Sequence, residues 1–156
     1  MDKVNLTHSE FADLSAEILE QGKALRFNAR GSSMKPFIQA GDILTIQPVK
    51  AIALNVGDVA FYRTVEGGLV VHRVIGKKKQ IDGVILTMRG DALSGPDEIV
   101  QVEQVLGKIV SLQRRQKIIR LDQGRWQWAG VIWARLLPLR PVLFGAARIV
   151  KSLSAI

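Results

Sequence analysis

Apolar residues Phe11, Leu14, Ile18 and Leu19 fall at the spacing of one helical face. This predicts a helix over residues 8–22, with Thr7 or Ser9 as its cap and Gly22 as its stop. The period then changes. Leu25, Phe27 and Ala29 alternate with Arg26, Asn28 and Arg30, so a strand is expected to run into Gly31-Ser32-Ser33. Short β-branched runs separated by turn residues predict further strands near 42–47, 59–64, 69–75, 84–89, 107–113 and 118–121. Glu66-Gly67-Gly68 reads as a hairpin between the second and third of these, since glycine supplies the positive φ that such loops need. Gly-Asp pairs at 41–42, 57–58 and 90–91 mark tight bends. Helical patterning returns after Arg125, where Pro138 and Pro141 divide the tail into two short helices.

These elements predict one mainly β domain over residues 1–156. Helix 8–22 precedes a β body over 23–121, and a helical, basic, Trp-rich tail follows over 122–156.

Composition narrows the chemistry. The chain has no cysteine, which excludes structural disulfides, thiolate zinc sites and a cysteine nucleophile. His8 and His72 are too few for a histidine-rich metal centre, and no metal or cofactor is expected. The 22 Lys+Arg against 14 Asp+Glu give a net charge of +8, the kind of excess that favours an anionic partner. Positive charge gathers at Lys77-Lys78-Lys79 and at Arg114-Arg115-Gln116-Lys117, both read as solvated turns, and along residues 125–156, which contain no acidic residue. The first 21 residues are polar and carry Asp2, Glu10, Asp13, Glu17 and Glu20, so neither a cleavable signal peptide nor an anchor is expected there. No run of 18 apolar residues occurs in the sequence.

The candidate chemistry lies in Gly31-Ser32-Ser33-Met34-Lys35-Pro36. A serine at a strand-to-turn junction is exposed, and the peptide N–H groups around it can face an incoming carbonyl oxygen. Downstream, in order, come Gly-Asp-Val at 57–59, Val-Val-His-Arg-Val-Ile at 70–75 and Arg-Gly-Asp-Ala at 89–92. Together with Ser-Met-x-Pro at 33–36, this order resembles the type I signal peptidase superfamily, which includes the self-cleaving repressors of the SOS response. The resemblance spans about residues 25–110. It implies a signal-peptidase-like or repressor-like β-ribbon catalytic domain and a serine endopeptidase that cuts exported or precursor polypeptides.

Several roles follow from the resemblance. It makes the serine directly before Met, Ser33, the nucleophile. His72-Arg73-Val74 stands where the endoplasmic-reticulum, archaeal and sporulation-type enzymes carry their histidine base and the other branch a lysine. Imidazole can take a hydroxyl proton at neutral pH, its ordinary pKa being about 6.5. In the histidine branch an aspartate beyond Gly-Asp completes the set, which here is Asp97, orienting the imidazole, with Asp91 holding the loop or sharing that task. Some relatives add an oxyanion-stabilising serine two positions before the nucleophile; that position is Gly31, so the Ser33 main-chain N–H is the remaining candidate.

The sequence departs from the resemblance in one respect. Signal peptidases carry a transmembrane helix ahead of the serine, and here an amphipathic helix occupies that place. The tail over 125–156 is the expected substitute, a peripheral or monotopic attachment to an anionic membrane surface through Trp and Arg; the other reading is that its helices pack over the β domain or mediate a dimer. The alternatives are a soluble maturation protease with one cytoplasmic partner, or a regulatory module like the repressors. Nucleic acid is disfavoured as a partner, because about 30 residues ahead of Gly31 hold one helix and not the three of a DNA-binding domain.

Overall fold

The computed structural model describes residues 7–92 and 96–139. Helix α1 (His8–Glu20) opens the described chain. Thr7 caps it through a reciprocal box, its Oγ1 accepting from the Glu10 N–H while Glu10 accepts from the Thr7 N–H at 2.8 Å. Ala12, Ser15 and Leu19 form its buried face, and Leu14, expected there, is exposed. The helix rotates so that Phe11 meets the edge of Phe27 on the sheet, 6.1 Å between centroids, which turns Leu14 outward.

Eight antiparallel strands follow in one sheet: β1 (Leu25–Asn28), β2 (Ile43–Pro48), β3 (Val59–Arg63), β4 (Leu69–Gln80), β5 (Gly83–Arg89), β6 (Glu98–Val100), β7 (Val105–Arg114) and β8 (Lys117–Arg120). The spatial order is β1-β2-β7-β3-β4-β5-β6, with β8 also paired to β7. The described residues are therefore mainly β, an eight-stranded antiparallel sheet with two α-helices. Hairpin β3–β4 closes as the sequence predicts, Arg63 opposite Leu69 and the Thr64 N–H donating to the Gly68 carbonyl at 2.8 Å.

β3 divides the core. Side chains alternate across a strand, so Val59 and Phe61 enter one face while Ala60 and Tyr62 enter the other, and all four are buried. The first face packs Leu44, Ile46, Ile109 and Leu112 under Leu19 of α1 and under Met34 and Ile38 of the loop that carries the serines. The second packs Val74, Leu86, Met88 and Val100 with Ala51 and Leu54.

One expectation is corrected here. Lys77, Lys78 and Lys79 belong to β4, opposite Leu86, Ile85 and Val84; they are not a solvated turn, and the turn is made by Ile81 and Asp82 beyond them. Lys77 is held there by the carbonyls of Ile52 and Leu54. Of the three tail tryptophans, Trp126 and Trp133 pack against Phe37 of the serine loop, at 6.3 and 5.5 Å between centroids, which leaves Trp128 as the exposed one. They belong to α2 (Gly124–Leu136), which ends in a tight turn over Leu137–Leu139; the second predicted tail helix lies outside the described residues.

Candidate active site

β4 carries candidate residues on both of its faces. His72 stands opposite Ala60, so it shares the second face with Ala60 and Tyr62, while Arg73 stands opposite Val59 on the first. The two neighbours reach different partners.

On the first face Arg73 is buried and forks onto buried Asp91, Nε to Oδ1 at 2.7 Å and Nη2 to Oδ2 at 2.6 Å. Its remaining Nη1 donates to the Gly57 carbonyl at 2.7 Å, and its guanidinium lies 4.6 Å from the centre of the Phe37 ring. Helix α2 crosses this group so closely that a Cβ on Gly130 would lie 2.7 Å from Arg73 Nη1 and 2.9 Å from the Gly57 oxygen; glycine is required there. One cation thereby joins β4, the entry to β3, the loop after β5, the serine loop and α2.

The serine loop is fixed at both ends. The Ala29 N–H donates to the Asp42 carbonyl at 2.7 Å and the Gly41 N–H to the Ala29 carbonyl at 3.0 Å, closing its base between β1 and β2. Gly31, at φ +78°, turns the chain out of β1 into Ser32 and Ser33, a conformation a side chain would strain. Met34 and Ile38 are buried in the first-face core, and the Ala92 N–H donates to the Ser33 carbonyl at 2.8 Å. Ala92 follows Asp91 directly. The anchor of Arg73 thus holds the segment that pins Ser33, beside the end of β5, whose last residue Arg89 pairs with Arg73.

On the second face Tyr62 Oη lies 3.0 Å from His72 Nδ1 and donates to Glu98 Oε2 at 2.5 Å. Glu98 Oε2 is 4.0 Å from Nδ1, too far for a direct hydrogen bond. Burial lowers the pKa of His72, and the Glu98 charge offsets this only in part. Burial, followed by the hydrogen bond and charge of Glu98, pushes the Tyr62 phenol well above its ordinary range, so it remains protonated at any working pH. Among the described residues no hydrogen bond engages His72 Nε2, the Ser33 hydroxyl, or the amides of Ser33 and Met34.

The residues singled out from sequence therefore separate into two groups. Ser33, Asp91 and Arg73 form one connected anchor on the first face, whereas His72, the neighbour of Arg73 in β4, projects from the second. Asp97 pairs with Arg89, Nε to Oδ1 at 2.5 Å, and Arg89 also donates to the Leu137 carbonyl at 3.0 Å. Strand parity accounts for this. Glu98 stands opposite Met88, a second-face residue, so its neighbour Asp97 and Met88's neighbour Arg89 turn the other way. The carboxylate on the histidine's face is thus Glu98. Sequence reading missed it together with Tyr62; the available signal was the parity that puts Tyr62 on the face of Ala60 and His72.

Scanned against models of known families, the chain matches none, and a search of curated proteins returns no match.

A buried ion pair that loses one partner leaves an uncompensated charge, so Arg73→Ala is expected to destabilise the fold by about 3–5 kcal/mol. Urea denaturation followed by tryptophan fluorescence checks this, since Trp126 and Trp133 report on the same cluster. An unchanged midpoint would contradict the hub assigned to Arg73.

Proposed function

We propose that the chain is a serine endopeptidase with a signal-peptidase-like fold, in which Ser33 is the nucleophile and His72 the base. The observation that carries this reading is the anchoring of Ser33 through Ala92 and Asp91 to Arg73, the residue next to His72. A second support is chemical: an imidazole with lowered proton affinity, whose Nε2 makes no hydrogen bond among the described residues, is suited to accept a hydroxyl proton at neutral pH.

The reaction proceeds in two halves. Ser33 Oγ attacks the scissile carbonyl carbon as its proton passes to His72 Nε2, and the amides of Ser33 and Met34 are the candidate donors to the resulting oxyanion. The C–N bond breaks, the departing amine takes the proton from Nε2, and an ester on Ser33 remains. Water then gives a proton to Nε2 and its oxygen to the acyl carbon, which leaves as a carboxylic acid while the proton returns to Ser33. No hydrogen bond joins the hydroxyl to Nε2 in the free protein, so the reaction requires the two to meet when substrate binds. The substrate is an extended precursor polypeptide, and no cofactor enters any step.

Attachment to an anionic membrane surface is favoured over a purely soluble enzyme by one feature of α2. Trp128, Ile132, Leu136 and Leu139 are 69, 59, 43 and 52% exposed at successive turns, with Arg125 and Arg135 on the same exposed helix. No helix among the described residues is long and apolar enough to cross a membrane.

Cleavage of a precursor peptide is expected to vanish in Ser33→Ala and to fall by about 10³-fold or more in His72→Ala. Because burial lowers the histidine's pKa, kcat/KM is expected to rise with pH and flatten with a midpoint below about 6.5. Full activity in Ser33→Ala would sink the assignment. In sedimentation with phosphatidylglycerol-rich vesicles the protein is expected to pellet, and Trp128→Ser to pellet less. Recovery of the wild type in the supernatant would leave the peptidase reading standing without the membrane.

A further inference from the structure

Tyr62 is fully buried and its hydroxyl has one hydrogen to give. It faces two groups, the Glu98 carboxylate at 2.5 Å and the His72 Nδ1 at 3.0 Å. Glu98 as a carboxylate carries no hydrogen, so the bond between phenol and carboxylate consumes the phenolic proton. The contact between the phenol oxygen and Nδ1 can then be a hydrogen bond only if Nδ1 donates. A neutral imidazole with its hydrogen on Nδ1 has a bare Nε2, which is the form that can take a proton from a serine.

We propose that Tyr62 and Glu98 are positioning residues that fix the tautomer of His72 through the chain Nδ1–H to Tyr62 Oη–H to Glu98 Oε2, in place of an aspartate bound directly to the imidazole. The proposal rests on the peptidase reading and adds to it which carboxylate serves the base and through what group. Three further observations support it. Glu98 lies 4.0 Å from Nδ1, too far to bond directly, yet near enough for its charge to stabilise the imidazolium that forms during the reaction. Asp97, the other acidic residue of this segment, is ion-paired with Arg89 on the opposite side of the strand. The Tyr62 ring is packed within the second-face core, so the phenol cannot leave without disturbing Val74, Leu86 and Val100.

No proton has to leave Nδ1 in the cycle. The imidazole accepts the Ser33 proton at Nε2 and returns it, while Nδ1 continues to donate to the phenol.

The test reads the tautomer directly. Nitrogen-15 NMR of protein labelled at histidine contains two side chains, His8 and His72, and a His8→Gln variant assigns them. At a pH where the imidazole is neutral, His72 is expected to show a protonated Nδ1 and a bare Nε2. In Glu98→Ala the phenol is free to turn its hydrogen onto Nδ1, and the protonated nitrogen is expected to change to Nε2. Glu98→Gln keeps an acceptor oxygen for Tyr62 and is expected to retain the wild-type tautomer. In peptide cleavage, kcat is expected to fall by about 10²–10⁴-fold in Glu98→Ala, less in Glu98→Gln, with KM little changed because a positioning residue acts through the imidazole. Tyr62→Phe, which removes only the hydroxyl, is expected to resemble Glu98→Ala in kcat.

A wild-type His72 protonated at Nε2, or a tautomer that Glu98→Ala leaves unchanged, would overturn the proposal. The two readings fail separately. The expected tautomers without any cleavage would remove the peptidase and with it the catalytic role of the chain, whereas cleavage by a protein with the opposite tautomer would remove the chain alone.

Discussion

The guanidinium of Arg73 is where the structure is tied together. Buried on the first face of the sheet, it forks onto Asp91, donates to the Gly57 carbonyl, lies over the Phe37 ring and leaves α2 room only for glycine at 130. An arginine serves this purpose where a lysine would not, because its planar fork meets both carboxylate oxygens and still has a donor for a carbonyl and a flat surface for an aromatic ring. Each contact fixes a different segment of chain. Ser33 is among the beneficiaries, since the amide that follows Asp91 holds its carbonyl.

The same device recurs in the other two Gly-Asp turns. Asp42 meets Arg114 in a bidentate pair and Asp58 meets Lys108, and both carboxylates are buried. Each also accepts a main-chain N–H from three residues upstream, Gln39 or Asn55, so the aspartate closes its own turn while its charge docks the turn on the sheet. Burial works against ionisation of Asp42, but the Arg114 hydrogen bond and the Gln39 amide outweigh it and lower its pKa. Arg73, Lys108 and Arg114 are thus each neutralised by an aspartate of the chain's own loops, and these pairs leave the net excess of +8 as it was. β4 separates this scaffold of ion pairs from the histidine, because adjacent residues of one strand face opposite ways. Arg73 holds the serine loop while its neighbour His72 keeps a different set of partners, Tyr62 and Glu98.

How far the sequence could be read depended on which physical rule governed each segment. Strand alternation and glycine turns are local, so the strands through residues 25–28, 59–63 and 69–75 and the hairpin at 64–68 were visible in the residues themselves. β6 was not, since three residues carry too little periodicity and its place is set by pairing with β5. Lys77 to Lys79 looked like a turn because charge usually marks solvent, yet pairing with β5 extends β4 through them. Charge and ring count could not separate Trp126 and Trp133, which pack on Phe37, from exposed Trp128. At the site, Ser33 and His72 are marked by motif. The partners of His72 are set by parity across four strands, which is why Glu98 escaped notice beside the more conspicuous Asp97.

The central claim is that Ser33, held by the scaffold anchored on Arg73, gives up its proton to the imidazole of His72. Covalent labelling with a peptidyl phosphonate that reacts only with activated serines, followed by peptide mass mapping, tests it most directly. The account expects a single adduct on Ser33, none on Ser32, and near-complete loss of labelling in a folded His72→Ala variant. Labelling of Ser33 at an equal rate without the imidazole, or no adduct on the folded wild type, would contradict it.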